Sequence, residues 1–195
     1  MNGAGEGAAS ALRIVVAEDE AIIRLDLVEM LVEEGYEVVG EAGRGDVALS
    51  LIRELNPDLA VLDVKMPGID GLTLAAQLVE EDLCGVIVLT AFSQRELIVT
   101  ATTAGVLAYL VKPFQKPELV AAIEVAAARN AERSALRQEV ADLSERLETR
   151  KLLDRAKAQL MSAGFTETEA FSHIQRQAMD GRTTVRAVVD EILRS

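Results

Sequence analysis

The chain of 195 residues has one cysteine and one histidine, and each scarcity closes off chemistry. Cys84 has no partner within the chain, which excludes an intrachain disulfide framework and makes the cytoplasm the expected compartment. It stands beside an apolar run, so a small buried residue is expected rather than a reactive thiol. His173 alone cannot supply a histidine-rich metal cluster, and no acid–base triad built on several histidines is available; a plain surface residue is expected there. Long apolar runs are also missing. The longest uncharged stretch, Leu97 to Val111, falls short of the ~18 apolar residues that span a bilayer, so no membrane association is expected. Residues 1–11 carry no Lys or Arg and no apolar block; they read as a disordered Gly/Ala-rich lead-in, not a targeting segment.

Basic residues are scarce as well: 20 Lys plus Arg stand against 32 Asp plus Glu, a formal charge of −12. Evenly spread, that charge would argue against nucleic acid. It is not evenly spread. Residues 1–123 hold 8 basic and 20 acidic side chains, while residues 124–195 hold 12 of each. Within the latter, residues 151–195 hold 7 basic and 6 acidic, a net of +1.

Half the residues are hydrophobic, enough for a true core. All four prolines (57, 67, 113 and 117) and eleven of thirteen glycines lie at or before position 117, so the remainder is expected to be almost wholly helical. The first part holds five short apolar runs, Ile14–Ala17, Val38–Gly40, Leu59–Leu62, Val86–Leu89 and Ala108–Val111. Runs without polar alternation read as strands buried on both faces, hence a parallel sheet. Helical spacing lies between them: Ile22/Leu25/Val28/Met30/Leu31, Val47/Leu51/Leu55, Leu74/Leu78 and Leu97/Ala101/Ala104. The alternation predicts a doubly wound α/β domain with a five-stranded parallel sheet, and its chemistry at the carboxyl ends of the strands.

At those ends stand Glu18-Asp19-Glu20, Asp63, Thr90-Ala91 and Lys112-Pro113. Three carboxylates brought together repel one another and call for a cation. An all-oxygen set suits Mg²⁺, and a lysine and a hydroxyl would complete a site for a transferred phosphoryl group. The plainer reading makes some of these acids helix caps: Asp19 or Glu20 for the first helix, and Asp46 for the second.

Past Pro117, helical spacing continues into an alternately charged stretch, residues 126–150. Leu136, Val140, Leu143 and Leu147 form an a/d seam about two heptads long, shorter than the three that a secure coiled coil wants. Two readings stay open there: a homodimer through residues 126–150 on activation, or a solvated connecting helix. The last 45 residues read as three helices. The first is lined by Leu153/Ala156/Leu160 and ended by Gly164; the second opens with a Thr166–Glu169 capping box and ends at Gly181; the third is lined by Val185/Val188/Val189/Ile192. Phe165 and Phe171 are expected in the core. Lys157, Arg176, Arg182 and Arg186 are candidates for a basic face, or else ordinary solvated cations.

Ile14 to about Val125 resembles the receiver domain of bacterial two-component response regulators. The resemblance rests on Glu18-Asp19, Asp63 with Met66-Pro67-Gly68-x-Asp70-Gly71, Thr90-Ala91, Tyr109 and Lys112-Pro113. It implies a flavodoxin-like fold over residues 12–125 and an Asp63 that accepts phosphate from a sensor histidine kinase. It implies Mg²⁺ held by Asp19 and Asp63, with Glu18 acting through water and Lys65 through its carbonyl. It further implies that Lys112 pairs with the phosphoryl oxygens across a cis Lys112–Pro113 bond. Thr90 would move toward the phosphoryl group, letting Tyr109 turn inward. Residues 134–195, overlapping the linker, resemble the ANTAR domain, on Ala156-Lys157, Leu160-Met161, Gly164-Phe165, Glu169-Ala170-Phe171, Ala178-Met179, Arg182 and Val188 to Leu193. That resemblance implies binding of leader-RNA hairpins and transcription antitermination, by a signalling protein and not an enzyme of turnover. A DNA-binding helix-turn-helix output is disfavoured by the lack of a compact basic recognition helix. An Asp-nucleophile phosphohydrolase would want a second acid where Lys65 stands.

Overall fold

The computed structural model describes residues 11–91 and 105–194. The helical spacing at Leu97/Ala101/Ala104 lies outside them, as does the expected lead-in save for Ala11. The chain forms two units, residues 1–133 and 134–195.

In the first unit the elements alternate: β1 (Arg13–Ala17), α1 (Ala21–Glu33), β2 (Glu37–Ala42), α2 (Gly45–Leu55), β3 (Leu59–Asp63), α3 (Gly71–Glu80), β4 (Gly85–Thr90) and β5 (Ala108–Val111). All four strand pairings are parallel, in the order β2-β1-β3-β4-β5. Each expected apolar run falls inside a strand. Successive side chains point to opposite faces, so one strand feeds two cores. Val15, Ala17, Ala60, Leu62, Val86 and Val88 meet Ala48 and Ile52 of α2 and Leu74 and Leu78 of α3. Ile14, Val16, Val61, Ile87 and Leu89 meet Leu27 and Leu31 of α1. On that second face they also meet Leu119, Ile123 and Ala126 of a long helix, α4 (Lys116–Ser162).

Ala126 is fully buried in this core, and Arg129 donates to the Leu107 carbonyl, Asn130 to the Asp58 carbonyl and Arg133 to Asp82. These contacts carry the first unit to Arg133, past the expected boundary at 125. Tyr36 Oη, which donates to Glu124 at 2.7 Å, fastens the same helix and has its pKa raised by burial and the neighbouring carboxylate.

The second unit comprises the rest of α4, α5 (Glu167–Asp180) and α6 (Val185–Ile192). Ala156, Ile174, Ala178, Val188 and Val189 form its core, flanked by Leu152, Leu153 and Leu160. The Thr166–Glu169 capping box is formed, with both reciprocal bonds present. In this unit α4 and α5 each close with a left-handed residue and the paired 6→1 and 5→2 bonds. At Gly164 (φ 103°), Phe165 N–H donates to Leu160 and Gly164 N–H to Met161. At the end of α5 the left-handed residue is Arg182 (φ 47°), not the expected Gly181, and Thr183 N–H donates to Ala178. Among the described residues no helix is long and apolar enough to cross a membrane.

Three expectations are corrected. In α1, Ile22 (85% exposed) and Leu25 point outward; Leu27 and Leu31 face the core, because the helix is apolar on more than one side. The N-cap of α2 is Arg44, and Asp46 sits inside the first turn, where Arg44 pairs with it and holds its carboxyl below the usual range. Phe165 (37%) and Phe171 lie half in solvent, as does Met161, and Met179 is mostly exposed. The buried side chains of the second unit are instead Ala156, Ala170, Ile174, Ala178, Val188 and Val189.

Candidate functional site

The parallel sheet brings the carboxyl ends of β1, β3, β4 and β5 to one edge, and the expected residues converge there. Asp19, Glu20, Asp63, Val64, Lys65, Thr90, Ala91 and Lys112 line a cleft of about 220 Å³. Glu18 lies fully buried beneath it, while Asp63 and Thr90 are nearly so.

Lys112 is the electrostatic hinge of the site. Its Nζ reaches Asp63 Oδ1 at 2.7 Å and Glu18 Oε2 at 2.5 Å. Burial works against its positive charge, but the bonds to Asp63 and Glu18 outweigh that and raise its pKa. Burial also lifts Glu18 above the ordinary carboxylate range, with Asp63 adding to the effect and Lys112 opposing it. Asp63 is held on both oxygens, Oδ1 by Lys112 and Oδ2 by the Lys65 backbone N–H at 2.7 Å. The Lys112–Pro113 bond is cis.

One ligand oxygen from each of Glu18, Asp19 and Asp63 lies within 4.8 Å of the others. Three hard oxygens with one lysine leave a formal excess of two negative charges, which suits a small dication such as Mg²⁺.

The loop from Val64 to Asp70 is fixed by close backbone packing. Gly45 N–H donates to the Pro67 carbonyl at 3.1 Å, and a Cβ on Gly45 would stand 1.9 Å from the Ile69 oxygen. A Cβ on Gly71 would stand 2.0 Å from the Asp63 carbonyl oxygen. Asp70 caps α3, accepting from the N–H groups of Leu72 and Thr73 and from the Thr73 hydroxyl. Partial burial opposes its charge, yet those bonds prevail and its pKa is lowered. Arg24, which sequence reasoning missed, donates to the Glu18 carbonyl at 2.6 Å and pairs with Glu41. Its position four residues after Glu20, on the turn of α1 nearest the cleft, was the available signal.

Tyr109 lies away from the cleft, 43% exposed, in a groove with Val106, Leu107 and Ala122. Cys84 is buried and its thiol is pushed up to about 12.

In the second unit the four candidate cations part company. Lys157 pairs with Asp154 and Glu167, and Arg186 with Glu148. Among the described residues, the side chains of Arg176 and Arg182 have no hydrogen-bond or ion-pair partner. His173 is half-buried against Phe165, ring centroids 5.4 Å apart, and is not a plain surface residue. Leu136, Val140, Leu143 and Leu147 are all exposed.

Comparison with known proteins agrees with this division. Residues 14–124 match the response regulator receiver domain, and residues 141–193 match the ANTAR domain. The chain is 54% identical over 182 residues to the transcriptional regulatory protein PdtaR of Mycobacterium tuberculosis, covering 93% of this chain and 89% of that one. It is 35% identical over 112 residues to the chemotaxis protein CheY of Bacillus subtilis, covering 57% of this chain and 93% of that one. The solved receiver domain of NarL from Mycobacterium tuberculosis superposes with a TM-score of 0.59 at 34% identity, over 60% of this chain and 97% of that one.

Proposed function

The chain belongs to the response regulators of two-component systems, a receiver domain followed by an ANTAR domain, and from that premise we propose that phosphorylation of Asp63 controls binding of RNA hairpins by the second unit. The observation that carries the first half is the convergence of Glu18, Asp19, Asp63, Thr90 and Lys112 at one sheet edge.

Asp63 is the nucleophile. One of its carboxylate oxygens forms a bond to phosphorus as the bond from phosphorus to the kinase's histidine nitrogen breaks, the electron pair returning to the imidazole. Mg²⁺ would be held by Asp19 and Asp63 directly, Glu18 through water and the Lys65 carbonyl, and when bound it neutralises phosphoryl charge. Lys112 exchanges its contact with Asp63 for the phosphoryl oxygens. Thr90 donates its hydroxyl to the same group, and Tyr109 moves inward to the space that Thr90 leaves. The acyl phosphate carries up to about two negative charges where the carboxylate carried one, and it projects them into the cleft, which shifts the populations of two receiver states.

The second unit then binds paired hairpins in leader RNA and prevents a terminator from forming, with two copies joined through residues 126–150. The protein acts in the cytoplasm as a signal carrier, its only chemistry being gain and slow loss of its own phosphoryl group.

The test combines Asp63→Asn with retention of a hairpin RNA, before and after treatment with a sensor kinase and Mg²⁺. The expected result is no phosphate incorporation and no kinase-stimulated retention in D63N. Phosphate incorporation in D63N, or wild-type RNA affinity indifferent to phosphorylation, refutes the reading. Duplex DNA outcompeting hairpins at matched salt would instead favour a DNA-binding output.

A further inference from the structure

Beside the small core of the second unit, the turn between α4 and α5 and the outer side of α5 enclose a cleft of about 400 Å³, lined by Gly164, Phe165, Glu169, Ser172, His173 and Arg176. A half-exposed aromatic alone is ordinary. Three features that converge with it are not.

The first is the fixed presentation of the ring. Phe165 follows the left-handed Gly164, its N–H is tied to Leu160, and its ring rests on His173 at a 53° tilt while the side chain stays 37% exposed and lines the cleft. The second is the free cation. Among the described residues the Arg176 side chain has no partner, whereas Lys157 and Arg186 are held by carboxylates. The third is a half-occupied acceptor. Glu169 Oε2 takes both bonds from Thr166, which leaves Oε1 able to accept from a ligand. A flat apolar face, an acceptor for N–H donors and a guanidinium within one cleft match the parts of a nucleotide: base, base edge and phosphate.

We propose that this cleft takes one unpaired base of a bound RNA hairpin, the base stacking on Phe165 with its edge donating to Glu169 Oε1 and the neighbouring phosphate meeting Arg176. The inference rests on the RNA-binding reading above. Glu169 repels the backbone from its own end of the cleft. Arg176, two helical turns on, attracts it to the other, so the nucleotide enters in one orientation.

The test uses the full phosphorylated chain and a pool of hairpin RNAs with a fixed stem and a randomised loop, titrated across salt concentrations. Phe165→Tyr keeps the ring and should bind as the wild type does. Phe165→Leu keeps apolar bulk without a flat face and should lose about tenfold or more in affinity at unchanged salt slope. Arg176→Ala should lower the slope of log affinity against log salt by about 0.7–0.9, the loss of one phosphate contact. R176A removes a surface cation with no partner and so remains informative if F165L does not fold. Wild-type affinity and slope in both F165L and R176A overturn the inference while leaving RNA binding intact. A wild-type protein that retains no hairpin overturns the RNA-binding reading and this inference with it.

Discussion

Gly71 ties the strand that ends in Asp63 to the helix that follows it, and its replacement by alanine should damage both stability and the phosphorylation proposed at Asp63. An added Cβ would lie 2.0 Å from the Asp63 carbonyl oxygen and 3.0 Å from the Val64 Cα. Real Cβ atoms do not approach below 3.0 Å, so the Asp63–Val64 peptide or the start of α3 must retreat by about 1 Å. Overpacking of this kind costs about 1–3 kcal/mol, partly offset by the stiffer unfolded chain. The strand side should yield, because α3 is anchored by the three bonds to Asp70 and by Leu74 and Leu78 in the core. A ~1 Å displacement of a reacting group can cost on the order of a hundredfold in rate. Urea melts and the rate of phosphorylation by acetyl phosphate measure the two effects. Gly35→Ala is the control: its φ of 86° strains alanine by about 1–2 kcal/mol, but nothing lies within 4 Å of its Cβ, so the rate should not change. A G71A protein that is destabilised yet phosphorylates at the wild-type rate would show that α3 moved instead, and would refute the coupling.

Three further outcomes are expected. Cys84 should resist a thiol reagent at pH 8 in the folded chain and react at an ordinary rate in urea, since burial holds its pKa near 12; fast reaction when folded refutes the packing described. Asp70→Ala should cost about 1 kcal/mol at neutral pH and Asp70→Asn much less, because asparagine also caps. The folded Asp70 pKa is lowered, so its contribution is present above the unfolded value of about 3.9 and lost as pH falls through the folded value. A wild-type-minus-D70A stability difference that grows toward acid would contradict this. Leu143→Lys should prevent pairing of the phosphorylated chain in sedimentation experiments while leaving helix content unchanged; wild-type chains that stay monomeric when phosphorylated refute pairing through that seam.

The sheet was legible because β1, β3 and β4 are buried on both faces, so each is a continuous apolar run that survives without context. The cleft was legible for a related reason: parallel strands deliver their carboxyl ends to one edge, and Glu18, Asp63, Thr90 and Lys112 each close a run. Helices were less readable wherever apolar residues outnumber the buried positions. In α1, Ile22 and Leu25 satisfy helical spacing yet face solvent, since spacing defines a stripe but not which stripe the sheet selects. In the second unit the error ran the same way. Phe165 and Phe171 look like core by size, but the buried positions of this unit are taken by Ala156, Ala170, Ile174, Ala178, Val188 and Val189. Contacts between backbone atoms, such as Gly45 against Ile69, leave no residue pattern beyond the glycine itself.

The left-handed Arg182 has a consequence for engineering. Its neighbour Gly181 stands one position too early to relieve the helix end, so an arginine carries a conformation that glycine adopts without strain. Arg182→Gly is therefore an available stabilising change, of about 1 kcal/mol, and the natural chain forgoes it. The same substitution removes a positive charge that has no partner among the described residues, so its effects on stability and on RNA retention can be read side by side. A thermostabilisation campaign that accepted glycine there would gain a few degrees in Tm, and a loss of RNA affinity in the same variant would identify what the strain maintains.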